Sequence, residues 1–177
     1  SEKWFNYNVD QFKNDKHIII HLGDSKLILN DLCKMYEEPI TFFLDAHYSG
    51  EHTSMSDEES PLLEELDTIT KRNNDNDIII IDDTRMIGKS GITGNNDLNS
   101  IYPETFFDWR YITFEKIREK FDDGWKFFDN QNYMFTSGPS DQIVIVNKKI
   151  EGEAFSIIPS YFYEFRFKLN RKFKNLF

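Results

Sequence analysis

Four aspartates carry the chemistry that this sequence offers: Asp24, Asp45 and the adjacent pair Asp82 and Asp83. Each stands just after a short apolar run, at residues 17–22, 40–44 and 77–81. If those runs are neighbouring parallel strands, the four carboxylates share the rim where open α/β sheets bind their ligands. Carboxylates held that close repel one another unless they are solvated, protonated or joined by a cation. An all-oxygen set of this kind suits a hard divalent cation such as Mg²⁺, which keeps several waters and leaves positions for substrate oxygens. A hydroxyl polarised by such a cation loses its proton more readily, and a neighbouring carboxylate can accept it. The plainer alternative is a set of solvated loop acids capping the helices that follow.

Around these acids stand residues that could touch a substrate. His47 and Tyr48 follow Asp45 closely, and Arg85 follows the Asp82-Asp83 pair. His47 is a candidate ligand and Tyr48 a candidate lining for a sugar-like acceptor. Arg85 either binds an anionic substrate or neutralises the acid cluster, and the second role is the simpler. His52 is a weaker candidate than His47. Gly88, Gly91 and Gly94 are too loosely spaced to form a phosphate loop and read as a substrate loop. Glu64 and Glu65 read as a solvated helix face, while Cys33, Trp109 and Trp125 read as core.

The elements that must position these residues follow from hydrophobic spacing. Trp4, Phe5, Val9 and Phe12 fall on one helical face, as do Leu27, Ile28, Leu32 and Met35. Strands are expected at residues 17–22, 40–44 and 77–81; the second is almost wholly apolar, the pattern of a strand covered on both faces, and the third reads as buried. Ser60 is the expected N-cap and Pro61 the first residue of a helix carrying Leu62, Leu63, Leu66 and Ile69. The spacing of Phe106, Trp109, Ile112, Phe114, Ile117 and Phe121 predicts a helix over residues 105–121. Residues 132–136 and 142–146 are expected to close the fold as an antiparallel pair around the turn at residues 137–140. The alternation of strand and helix predicts an α/β fold with a mostly parallel sheet.

Composition sets the outer bounds. The chain has 177 residues, enough for one core, with 39% hydrophobic and 29% charged residues. Its formal net charge of −10 argues against a general nucleic-acid binder, which needs a basic face. The single cysteine cannot form an internal disulfide, and no apolar stretch approaches the ~20 residues that cross a bilayer. A cytoplasmic location is the resulting expectation. The stretch from Ser160 to Phe177 differs from the rest: it interleaves aromatic residues with Arg166, Lys168, Arg171, Lys172 and Lys174, and Glu164 is its one acid. Residues 1–150 therefore read as an α/β domain and residues 151–177 as a basic aromatic tail, which packs on the acidic body or meets a partner.

Several strings together resemble class I S-adenosylmethionine-dependent methyltransferases. They are His21-Leu22-Gly23-Asp24-Ser25, then residues 42–50 (Phe-Phe-Leu-Asp-Ala-His-Tyr-Ser-Gly), then Pro61-Leu62-Leu63-Glu64-Glu65-Leu66, then Ile80-Ile81-Asp82-Asp83. The aspartate set resembles that of the macrocin-type sugar O-methyltransferases. That resemblance implies a Rossmann-like three-layer sandwich, with Asp45, Asp82 and Asp83 as Mg²⁺ ligands and Asp45 also as general base. It implies that Gly23, Asp24, Ser25 and Asp45 lie along the S-adenosylmethionine site, with Asp24 near the adenine. It departs from the family at one point: no Gly-x-Gly run precedes Gly23. The chain therefore reads as an N-terminally truncated piece or as one without its cofactor half, and weak binding of S-adenosylmethionine by this chain alone is the expectation. A sheet cut in this way exposes an edge that favours pairing with another copy or a neighbouring domain.

The functional expectation is an O-methyltransferase, or part of one, acting on a hydroxyl of a sugar or other small polar acceptor. The alternative is a degenerate methyltransferase fold that serves as a binding or assembly module. A metal-dependent glycosyltransferase ranks third, because the sequence lacks a single Asp-x-Asp motif at a strand end.

Overall fold

The computed structural model describes residues 2–48, 58–94, 104–129 and 141–150. Helix α1 spans Glu2–Phe12 and α2 spans Ser25–Met35. Strand β1 (Thr41–Leu44), helix α3 (Leu62–Thr70) and strand β2 (Ile78–Ile81) follow, then a 3-10 turn at Thr84–Met86. Strands β3 (Ser90–Thr93) and β4 (Thr105–Asp108), helix α4 (Phe114–Glu119) and strands β5 (Trp125–Asp129) and β6 (Ile143–Asn147) complete the order.

The fold is mixed α/β. Its main sheet has the order β1-β2-β6-β5, and β3 pairs with β4 in a separate two-stranded sheet. Strands β1 and β2 run parallel, Thr41 opposite Ile78 and Leu44 opposite Ile81. Parallel neighbours need a crossover, and α3 lies within it. The other two ladders, β2 with β6 and β5 with β6, are antiparallel. The expectation of a mostly parallel, Rossmann-like sheet is therefore corrected: one ladder of three in this sheet is parallel.

The physical reason lies at residues 17–22, expected as a strand, which join no ladder. Ile18, Ile19 and Leu22 stay exposed there. An apolar run states that a segment would pack well, but the strand beside it decides whether its backbone pairs. On the far side, β2 takes β6 as its neighbour, and that strand arrives from the C-terminal half in the opposite direction.

Two further expectations change. Residues 105–121 do not form one helix: β4 pairs with β3, placing Phe107 opposite Gly91, and only Phe114–Glu119 is helical. Thr113 caps that helix, its side chain accepting from the Lys116 amide. The strand expected at residues 142–146 forms as β6, but it pairs antiparallel with Trp125–Asp129; residues 132–136, the expected partner, lie outside the described residues. The basic aromatic tail lies outside them as well.

The core forms where these elements meet. Phe42 and Leu44 from β1, Ile79 and Ile81 from β2, and Ile143 and Ile145 from β6 pack with Leu62, Leu66 and Ile69 of α3. Burial of each such aliphatic side chain contributes about 1.5–3 kcal/mol. Arg72, just past α3, ties the strand starts to α2. Its Nε donates to Asp77 Oδ2 at 2.9 Å, and its remaining donors reach the carbonyls of Cys33, Tyr36 and Glu38. Asp77 in turn accepts from the Ile40 amide at 2.9 Å. Among the described residues, no helix is long and apolar enough to cross a membrane.

Candidate functional site

The parallel register decides where the acids fall. Leu44 is opposite Ile81, so Asp45 and the Asp82-Asp83 pair leave the sheet side by side. The Asp82 amide donates to the Leu44 carbonyl at 3.0 Å, carrying the pairing one residue past the strands. The antiparallel register adds a residue that spacing did not reveal. Ile81 is opposite Ile143, so the chain entering β6 brings Asp141 to the same edge. The Thr84 amide donates to the Asp141 carbonyl, and the Arg85 amide to Asp141 Oδ1 at 2.9 Å.

Asp83 turns its backbone into the left-handed region, with φ 54°. Aspartate is among the few residues that enter it readily. The turn directs Asp83 inward, where it is 9% exposed. His47 Nδ1 lies 3.2 Å from Asp83 Oδ2 and 3.7 Å from Asp45 Oδ1. Donor atoms of Asp45, His47 and Asp83 all fall within 4.8 Å of one another, as do those of Asp82, Asp83 and Asp141. The second group already holds a positive charge, because Arg85 forms ion pairs with both Asp83 and Asp141. Arg85 thus neutralises the acid cluster. Burial, then the nearby Asp83 charge, raises the pKa of Asp45 above the usual carboxylate value.

The remaining expected site residues divide. Asp24 stands apart from this cluster: it is the N-cap of α2, its side chain accepting from the Lys26 amide at 3.1 Å. Ser25 opens α2 and hydrogen-bonds Glu65 of α3. Gly23 precedes the cap with φ 158°, and a Cβ there would meet the end of the Ile28 side chain. The rim expected to join all four aspartates therefore holds Asp45, Asp82 and Asp83 but not Asp24, since residues 17–22 make no strand to carry Asp24 there. Tyr48 is held near the site by its amide, which donates to the Glu59 carbonyl at 2.8 Å. His52 lies outside the described residues.

Three polar residues near the site were not legible as such. Ser60 was expected to cap α3, but Pro61 holds the cap position and the Ser60 hydroxyl donates to the Ala46 carbonyl. Tyr111 pins this segment, donating to the Ser60 carbonyl and accepting from its amide. Glu65 is 3% exposed, not on a solvated face, and burial raises its pKa. Trp109 is core as expected, yet it also lines the site, its ring edge-on to His47 at a centroid distance of 5.7 Å. A small cavity of about 10 Å³ opens among Asp45, His47, Ser60, Glu65, Asp82 and Trp109.

These groups suit a divalent cation at Asp45, His47 and Asp83. Two carboxylates and an imidazole offer oxygen and nitrogen donors with the sheet edge fixing all three. They do not suit S-adenosylmethionine. Asp24 and Ser25 are engaged in capping α2 and in contacting Glu65, and the cavity at this edge is far smaller than the several hundred Å³ of an ordinary ligand pocket. Comparison with protein-family models, with curated proteins and with solved structures finds no match to this chain.

Proposed function

We propose that the protein binds a divalent cation at Asp45, His47 and Asp83 and acts on a hydroxyl of a small polar, sugar-like acceptor, as the acceptor side of an O-methyltransferase does. The observation that carries this reading is the convergence of those three donor groups at the carboxyl ends of β1 and β2. A bound cation such as Mg²⁺ supplies positive charge that makes a nearby hydroxyl easier to deprotonate. Asp45 is the group placed to take that proton. Its side chain is half-exposed at the mouth of the site, within reach of an entering acceptor. Asp83 Oδ2 lies 3.2 Å from His47 Nδ1, and Arg85 pairs with Asp83 from the other side. S-adenosylmethionine belongs to this reading only through the family resemblance, and no step is assigned to it.

Calorimetric titration with Mn²⁺ and Mg²⁺ tests the proposal. Binding that Asp45→Asn and Asp83→Asn each weaken at least tenfold, and that Asp24→Asn leaves intact, is the expected result. No binding, or equal binding by all three variants, would overturn it.

A second reading, a non-catalytic binding or assembly module, draws on a different observation. Helix α1 buries none of its residues, and Ile19, Leu27, Met35 and Phe43 are each more than half exposed nearby in the chain or on the edge strand. Apolar exposure of this extent marks contact surfaces. Sedimentation of the chain across a range of concentrations, showing only a monomer that α1 substitutions leave unchanged, would count against self-association as that role.

A further inference from the structure

The buried stripe of α3 is Leu62, Glu65, Leu66 and Ile69, with a carboxyl where a fourth apolar group would pack. Burying a carboxyl without full hydrogen bonding is costly, so its presence calls for a partner. Ser25 hydrogen-bonds this carboxyl, yet Glu65 Oε2 has no hydrogen-bond partner among the described residues. Trp109 lines the same cavity and is equally buried, at 3% exposure, and its indole Nε1–H has no acceptor among them. The cavity holds about 10 Å³, the room needed by one water-sized group. Half-exposed Asp45 stands in its wall, so the space adjoins the proposed cation site.

An unsatisfied carboxyl oxygen and an unsatisfied N–H around one small cavity call for a group that can donate and accept at once. Ammonium only donates and carboxylate only accepts, whereas a hydroxyl does both. A hydroxyl also serves Glu65 in either protonation state, donating to the carboxylate or accepting from the acid. We infer that this cavity is a hydroxyl subsite, which takes one hydroxyl of a polyhydroxylated ligand between Glu65 and Trp109 and so presents a neighbouring hydroxyl to Asp45. The inference deepens the function proposed above and rests on its reading of the acceptor as a hydroxyl compound. A resident water offers the same O–H chemistry, and the experiment separates the two sources.

The indole N–H resonances of Trp4, Trp109 and Trp125 report on the cavity directly. Glycerol and D-glucose are titrated into the whole chain, first without metal and then with Mg²⁺. The expected result is a saturable shift of the Trp109 resonance that Trp4 and Trp125 do not show, weakened at least fivefold in Glu65→Gln. That variant keeps the side-chain shape, and its amide spectrum reports whether it is folded. A Trp109 resonance that neither polyol moves overturns the inference, and a water contact at that N–H under the same conditions assigns the cavity to a resident water only. An equal response in wild type and Glu65→Gln overturns it too. Loss of Mg²⁺ binding alone, with the Trp109 response intact, sinks the cation reading and leaves the hydroxyl subsite standing.

Discussion

Asp83 Oδ2 lies 3.2 Å from His47 Nδ1, although the two residues leave different strands of the sheet. The contact exists because β1 and β2 run parallel in a register that ends them together. Asp83→Ala removes that contact with His47 and one of the two acids from Arg85. Cation affinity is expected to fall at least tenfold, and Asp82→Ala is expected to cost less, since Asp82 is not among the three groups proposed to hold the cation. Calorimetry of the two variants side by side makes the comparison; a larger loss in Asp82→Ala would reverse the assignment of the ligand set.

Arg85 provides the converse test. Its guanidinium pairs with Asp83 and Asp141 and so places positive charge next to the proposed cation. Its side chain is 53% exposed, which lets solvent screen part of the repulsion. Arg85→Gln keeps hydrogen-bonding capacity and removes the charge. Mn²⁺ affinity is expected to rise about threefold to tenfold by that loss of repulsion. Weaker binding in Arg85→Gln would mean that Arg85 organises the acids for the cation and does not compete with it.

The Glu65 carboxyl makes stability depend on pH. Its folded pKa is raised above the ordinary 4.5, first by burial and then by the nearby charges of Asp24 and Glu64. Between 4.5 and that raised value the folded chain holds a proton that the unfolded chain has released. Stability therefore falls as pH rises through this window, and above it the loss is complete. Glu65→Gln has no such proton to lose. It is expected to match the wild type near pH 4 and to exceed it at pH 7.5, by on the order of 1 kcal/mol. Urea unfolding at the two pH values measures the difference, and a constant gap between the proteins would refute the linkage.

The site was half legible from sequence, and the dividing line is physical. Residues 40–44 and 77–81 announce strands because short, mostly apolar runs, each followed by aspartate, have few other uses. That was enough to place Asp45, Asp82 and Asp83 on one edge. Asp141 could not be found in the same way, since it arrives through the register of an antiparallel strand far along the chain. Glu65 was hidden by its type: a charged residue in a helix reads as solvated, and only the packing of α3 between α2 and the sheet turns it inward. The spacing of Phe106, Trp109 and Ile112 fits one helical face, but Phe106 is 61% exposed and Phe107 is the buried one, as strand pairing with β3 requires. Period alone cannot separate the two when aromatics are this frequent. The run at residues 17–22 shows the opposite failure, a strong strand pattern with no strand beside it.

Arg72 and Asp77 form a buried ion pair, and it sets the last expectation. Both side chains are nearly buried, at 5% and 2% exposure, and Arg72 also serves the carbonyls of Cys33, Tyr36 and Glu38. Removal of one partner strands the other charge in the interior. Arg72→Ala is therefore expected to destabilise the protein by about 3–5 kcal/mol. Lysine should not rescue it, because one ammonium cannot reach an acid and three carbonyls with the planar fork of arginine. A double substitution, Arg72→Met with Asp77→Asn, leaves no unpaired charge, keeps an acceptor for the Ile40 amide, and should recover part of the loss. Thermal melts of the single and double variants settle the matter. A double variant no more stable than Arg72→Ala would show that the carbonyl contacts, and not the buried charge pair, are what α2 depends on.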